Sequence, residues 1–138
     1  MSLFKRKPQQ KSFSDSIEYF SSTAIKYAQS FDKEFDYSED SVKDLEEILD
    51  WYSNDISESN PTDNQIWSMA KIFGVYLGQV IIKNCGNGYV WCDTDNSIPV
   101  IKKGELVIAP IDKVYKRLVY GPEDSIVSFY DVIVDNQI

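Results

Sequence analysis

Residues 62–93 read TDNQIWSMAKIFGVYLGQVIIKNCGNGYVWCD, and this stretch decides the fold of the chain. Thr62 and Gln65 have the spacing of a capping box, which predicts that a helix begins here. Apolar side chains then cover almost the whole circumference of that helix, as is typical of a helix buried on most sides. The glycine-rich segment 84–88 offers two positions suited to positive φ, so we expect the helix to end there. The residues from Tyr89 onward predict a strand.

Gly74 and Gly78 lie one turn apart on the same face of this predicted helix. A glycine inside a helix costs about 1 kcal/mol relative to alanine. A pair at this spacing therefore predicts that another backbone crosses closely at that face. The pair does not imply a membrane dimer motif, because Lys71, Gln79 and Lys83 interrupt the apolar stretch. No apolar run in the chain reaches the roughly 18–20 residues of a membrane span, so we expect none.

Two further helices are predicted before this segment, and three strands and two helices after it. Helical periodicity begins near Asp15 and recurs over residues 39–53, with a polar linker expected from Ser53 to Pro61. The expected strands cover residues 89–92, 98–102 and 105–109, and the last two helices begin at Pro110 and Pro122. The predicted fold class is α+β, with three N-terminal helices, a small antiparallel sheet of about three strands and two C-terminal helices.

Length and composition are those of one globular domain. The chain has 138 residues, of which 43% are hydrophobic, and a formal net charge of −8. We expect residues 1–12 to form a flexible basic N-terminal arm and residues 13–138 to form a single α+β domain. No apolar segment or cleavage site of the signal-peptide kind follows the basic start, so we expect a cytoplasmic protein.

The chain contains no histidine. Histidine is the commonest general base near neutral pH and the commonest zinc ligand, and its absence excludes Ser-His-Asp and Cys-His mechanisms within this chain. The acidic loop 93–97 begins like a calcium loop but lacks the glycine and glutamate that an EF-hand requires. We therefore expect no enzymatic activity, no cofactor and no metal, although carboxylate, lysine or tyrosine chemistry stays open.

Residues 32–58 hold half of the 22 acidic residues and only two lysines. Concentrated carboxylates speed association with cationic proteins and repel nucleic acids, so we expect a protein partner with a basic surface. A solubilising face without a partner is the alternative interpretation. The residues predicted to form this acidic face are Glu39, Asp40, Asp44, Glu46, Glu47, Asp50 and, as an aromatic anchor, Trp51.

A second hypothesis is a small-molecule-binding or enzymatic site between the third helix and the sheet. Its pocket would be lined by Tyr76, Gln79, Trp91, Asp93 and Arg117. A third hypothesis is a structural or oligomeric accessory protein that uses an exposed sheet edge or Trp67, which we expect to be partly exposed.

The pair Lys116-Arg117 either binds an anion or forms an ion pair inside the domain, and we favour the ion pair. The partners expected for it are Asp93, Asp95 and Glu105.

The region from Gly74 to about Tyr130 resembles a bacterial family, the domain of unknown function 3806. The residues that carry the resemblance are Gly74-Val75-Tyr76-Leu77-Gly78, Trp91, Asp93, Pro110, Lys116-Arg117 and Gly121. The family usually has an acidic residue after the second glycine, where this chain has Gln79, so a carboxylate-dependent role of the family would be missing here. The resemblance implies a bacterial α+β domain and no assigned activity. Small acidic α+β proteins of this kind are similar to bacterial immunity or accessory proteins, and the first of these implies a role in neutralising a basic partner.

Overall fold

The computed structural model describes residues 12–86 and 88–136, and in them it has five α-helices and one three-stranded antiparallel sheet. The helices are α1 (Phe13–Gln29), α2 (Asp40–Ser59), α3 (Asp63–Cys85), α4 (Pro110–Tyr120) and α5 (Ile126–Asp135). The strands are β1 (Val90–Cys92), β2 (Val100–Lys103) and β3 (Leu106–Ile108). The predicted α+β class and the predicted order of elements are confirmed. Residues 1–11 of the predicted basic arm lie outside the described residues.

Helix α3 is the central element of the core. The hydroxyl of Thr62 accepts a hydrogen bond from the Gln65 N–H at 3.1 Å, and the Gln65 side chain accepts one from the Thr62 N–H at 2.8 Å. This confirms the predicted capping box. By length and composition α3 is the one helix of the described residues that could cross a membrane, and half of its most apolar window is buried by the other elements.

The two glycines of α3 make room for different neighbours. A Cβ atom on Gly74 would lie 2.5 Å from the Cα of Ile111, so the backbone of α4 crosses α3 there as predicted. A Cβ atom on Gly78 would lie 2.3 Å from Cζ2 of Trp91, so this glycine accommodates an indole ring and not a backbone. Together they allow α4 and the Trp91 ring of β1 to pack directly onto α3.

The start of α1 was predicted two residues too late. The helix begins at Phe13, and the hydroxyl of Ser12 accepts a hydrogen bond from the Asp15 N–H at 3.1 Å. Asp15 therefore lies in the first turn, and Ser12 is the cap residue. The serine provides the acceptor that the first free N–H groups of a helix require.

The predicted linker over residues 53–61 is wrong in its first part. Helix α2 continues to Ser59 and ends at Asn60, which adopts a left-handed conformation with φ 49°. Ile56 packs against the core, and this tertiary contact favours helix where the polar sequence favoured a loop. At the other end of the chain, Pro122 opens a short 3₁₀ turn, and α5 begins only at Ile126.

The sheet is a meander in the order β1-β2-β3, as predicted. Ile101 at the centre of β2 pairs with Trp91 on one side and with Ile108 on the other. Ile101 and Ile108 are both buried and join the core beneath the sheet. Helix α4 packs against both α3 and α2, and α5 packs against α2, so the C-terminal helices hold α2 in place.

Candidate functional site

Arg117 on α4 binds two carboxylates of α2. Its side chain is only 2% exposed, its Nε donates a hydrogen bond to Glu46, and its Nη2 donates one to Asp50 at 2.6 Å. The prediction of an internal ion pair is confirmed. The predicted partners Asp93, Asp95 and Glu105 are wrong, because the buried face of α4 that carries Arg117 packs against α2.

Glu46 also joins α2 to the start of α5. Its Oε1 accepts hydrogen bonds from the Ser125 hydroxyl at 2.9 Å, the Ile126 N–H at 2.8 Å and the Val127 N–H at 3.2 Å. A carboxylate in this position satisfies the free N–H groups of a helix N-terminus. Burial opposes the ionised form, but the hydrogen bonds from Arg117 and from the start of α5 outweigh it and hold the pKa of Glu46 below its ordinary value.

Three more carboxylates of the predicted acidic face have partners inside the domain. Tyr130 donates a hydrogen bond to Glu39 at 2.7 Å. The Nζ of Lys33 lies 3.5 Å from Asp44 and 3.3 Å from Glu47. Asp40, the remaining acid of the set, is exposed in the first turn of α2. The structure therefore does not present these acids as one uniform face, and charge on the buried side of α2 is offset by α4.

The outward side of α2 carries an exposed tryptophan between exposed carboxylates. Glu47, Trp51, Asn54 and Glu58 follow one another at helical spacing, and all four are exposed. We call these four residues the α2 outer stripe. Trp51 is 54% exposed.

The rings of Phe31 and Tyr52 pack against the indole of Trp51. Its ring meets Phe31 and Tyr52 edge to face, with centroid distances of 5.7 Å and 5.2 Å. Edge-to-face contacts of this kind favour one orientation of the ring. The indole is therefore held in one orientation before any partner binds, while more than half of its surface is exposed to solvent.

A groove lies next to the outer stripe, between the end of α2 and the start of α3. Its volume is about 400 Å³, and its lining is mostly apolar. The lining residues are Tyr52, Asp55, Ile56, Ser59, Pro61, Gln65, Ile66, Met69 and Leu118. Sequence analysis missed this α2–α3 groove. The apolar residues that repeat at helical spacing on each wall were detectable, but the sequence did not show that α2, α3 and Leu118 of α4 meet around one groove.

The residues of the predicted alternative pocket lie in separate places. The Tyr76 ring is buried, and its hydroxyl donates a hydrogen bond to Ser41 at 2.8 Å. Burial raises the pKa of Tyr76 to about 12. Asp93 is exposed and accepts a hydrogen bond from the Thr94 N–H in a turn at 2.9 Å. Arg117 faces α2, away from both.

Gln79 and Trp91 are the two pocket residues that the structure brings together. The indole Nε1–H of Trp91 donates a hydrogen bond to the Gln79 side chain at 2.8 Å. The same indole packs over Gly78, so the contact joins β1 to α3. Within residues 12–86 and 88–136, no group of three or more His, Cys, Asp or Glu side chains is placed to hold a metal ion.

Comparisons of this chain with protein-family models, with curated proteins and with solved structures found no match. The resemblance to the domain of unknown function 3806 stays a prediction. The α2 outer stripe and the α2–α3 groove are the surface features from which a function can be inferred.

Proposed function

We propose that this protein is a non-enzymatic, cytoplasmic protein-binding domain that engages a basic protein through the α2 outer stripe. The observation that carries the proposal is the exposed ring of Trp51, held by Phe31 and Tyr52 and placed between Glu47 and Glu58. Tryptophan is among the residues most enriched at the energetic centres of protein interfaces. Carboxylates on either side of Trp51 along the helix favour a cationic partner.

The charge of the chain supports a basic partner. The formal net charge is −8, and α2 carries seven acids and one lysine. Arg117 offsets two of those acids on the inward side. On the outward side Glu47 and Glu58 are exposed, and Glu47 also lies 3.3 Å from the Nζ of Lys33. Exposed charges act over a Debye length of about 8 Å in physiological salt, which is enough to steer a cationic surface toward the stripe. The same charge disfavours nucleic acid as a ligand.

The exposed area of Trp51 sets the size of the effect. An aromatic side chain buries about 150–250 Å² when fully covered, so covering the exposed half removes roughly 100 Å² from water. At about 25 cal/mol per Å² this contributes roughly 2–3 kcal/mol to binding. Replacement by alanine should therefore weaken binding by about thirtyfold or more.

An immunity-type protein, which neutralises a basic toxin by binding it, is the form of this function that fits best. Such a role requires no catalytic group and depends on a preformed surface of opposite charge to the target. The supporting features are the net negative charge and the tryptophan anchor of the α2 outer stripe.

The test compares stripe variants with matched variants elsewhere on the surface. The tagged full chain, Trp51→Ala and the double variant Glu47→Lys/Glu58→Lys are used to capture partners from an extract of the native host. Tyr120→Ala is the control for the aromatic change, because Tyr120 is 63% exposed on α4. The double variant Glu105→Lys/Glu123→Lys, at two exposed turns outside α2, is the control for the charge change, because it alters the net charge by the same amount.

The proposal expects one basic protein on the wild type and on both controls, and its loss from both stripe variants. The partner is then purified, and its Kd for each variant is measured at low and moderate salt. The double variant should show a flatter dependence of affinity on salt, because it lacks two of the attracting charges. Equal capture and equal affinity for the stripe variants and their controls would refute binding through the stripe.

A further inference from the structure

The α2–α3 groove lies beside the outer stripe. Tyr52 lines the groove, and its ring lies edge to face against Trp51 at 5.2 Å between centroids. A partner that covers the exposed face of Trp51 therefore lies next to the α2 wall of the groove. The two features are neighbours on α2.

Each wall of the groove repeats apolar side chains one helical turn apart. Tyr52 and Ile56 form the wall from α2, and Ile66 and Met69 form the wall from α3. Leu118 of α4 forms part of the lining between them. Side chains on a helix at positions i and i+3 or i+4 are separated by about 5–6 Å, which matches the spacing on both walls.

Among the described residues that line the groove, Asp55 is the one that carries a charge. The other polar residues of the lining are neutral. A carboxylate at the side of an apolar groove favours an occupant that places an ammonium or guanidinium group beside an apolar side chain.

We propose that the groove binds the apolar face of a basic amphipathic helix from the partner, with one lysine or arginine of that helix beside Asp55. The inference rests on the proposed function and adds the form of the partner segment. An amphipathic helix lying in a hydrophobic groove through residues at i, i+3, i+4 and i+7 is a common mode of peptide recognition. A volume of about 400 Å³ accommodates a few anchor side chains and not a whole helix, whose polar side stays in water.

The experiment uses a peptide probe and the full chain. The probe is a helix-forming peptide of roughly 18 residues, made of leucine at helical spacing and lysine elsewhere. Two comparison peptides have the same leucines. In one of them every lysine is replaced by glutamate, and in the other every lysine is replaced by glutamine. Binding is measured by isothermal titration calorimetry with the wild type, Asp55→Asn, Ser59→Arg and Ser128→Arg.

Ser59→Arg and Ser128→Arg form a matched pair. Both serines are exposed, Ser59 at the groove and Ser128 on α5, and each variant changes the net charge by the same amount. Nonspecific attraction to an acidic protein should fall equally in both. Circular dichroism of each variant checks that the helices are retained.

The proposal expects the leucine-lysine peptide to bind the wild type and Ser128→Arg with similar affinity. Ser59→Arg should weaken that binding by more than about tenfold, because it fills the groove and opposes the charge of the peptide. Asp55→Asn should weaken it by about two- to fivefold, the effect of one partly exposed ion pair. Equal loss in Ser59→Arg and Ser128→Arg, or equal affinity for the lysine and glutamine peptides, would overturn the proposal.

The affinity of each variant for the captured partner separates the two proposals. If Trp51→Ala lowers that affinity and Ser59→Arg does not, the stripe is the binding site and the groove is not. If Ser59→Arg lowers the affinity and Trp51→Ala does not, the groove is the binding site and the stripe is not. Loss of affinity in both supports one site that includes both features.

Discussion

Replacing Arg117 by methionine tests whether the buried ion pair of α2 and α4 stabilises this fold. Methionine retains an unbranched apolar chain in the space that the arginine stem occupies, and it removes the guanidinium. Arg117 is 2% exposed, and Glu46 and Asp50 are 21% and 49% exposed. The variant therefore leaves one largely buried carboxylate and one half-exposed carboxylate without their counter-charge.

Breaking a buried ion pair by removing one partner costs about 3–5 kcal/mol. We expect the lower end of that range, about 3 kcal/mol, because water reaches Asp50 and because Glu46 keeps its hydrogen bonds to α5. Most single domains are stable by about 5–15 kcal/mol, so this loss is a large part of the total. It should lower the urea midpoint by roughly 1–3 M.

The free energy of unfolding of Arg117→Met, Glu46→Gln and the double variant is measured by urea denaturation. Glutamine keeps an oxygen that accepts from the α5 N–H groups, so it removes the charge and preserves that contact. The double variant should be less destabilised than the sum of the single variants by about 1–3 kcal/mol. A stability of Arg117→Met within about 0.5 kcal/mol of the wild type would refute the reasoning.

The same pair predicts a dependence of stability on pH. Because the pKa of Glu46 in the folded protein lies below its unfolded value, the ionised form stabilises the fold. That contribution is complete above the unfolded pKa of about 4.3 and is lost as the pH falls through the folded pKa. The wild type should therefore lose more stability than Glu46→Gln between about pH 6 and pH 3. Parallel curves for the two proteins would contradict this assignment.

Three further substitutions test the core, each by urea denaturation. Gly74→Ala should destabilise the protein by about 1–3 kcal/mol, because its Cβ would lie 2.5 Å from the Ile111 Cα, and an unchanged midpoint would contradict the close crossing. Tyr76→Phe should cost about 1–2 kcal/mol near neutral pH by leaving Ser41 without its donor. With burial raising the pKa of Tyr76 to about 12, the wild type should lose stability as the pH rises from about 10 to 12, and the phenylalanine variant should lose less. Thr62→Ala should cost about 1 kcal/mol and Thr62→Ser much less, and equal losses would argue against the cap.

Sequence analysis predicted in residue detail mainly the features that are local in the chain. The cap of α3 needs only Thr62 and Gln65, three residues apart, and its burial follows from apolar residues on every side of one helix. The glycine turn at the end of α3 is local in the same sense, with φ 67° at Gly86. Where tertiary packing competed with local preference, as at Ile56, the predicted boundary of α2 was wrong.

By itself the sequence determined the α+β class, the order of the elements and the acidic character of α2, because these depend on composition and on neighbours along the chain. Only the tertiary structure decided which carboxylates of α2 face water. Glu46 meets Arg117 across 71 residues and Glu39 meets Tyr130 across 91 residues, and no local pattern encodes such pairs. An ion pair depends on distance in space, which is set here by α4 and α5 packing against α2. The α2–α3 groove exists for the same reason, since its walls and its lining come from three helices.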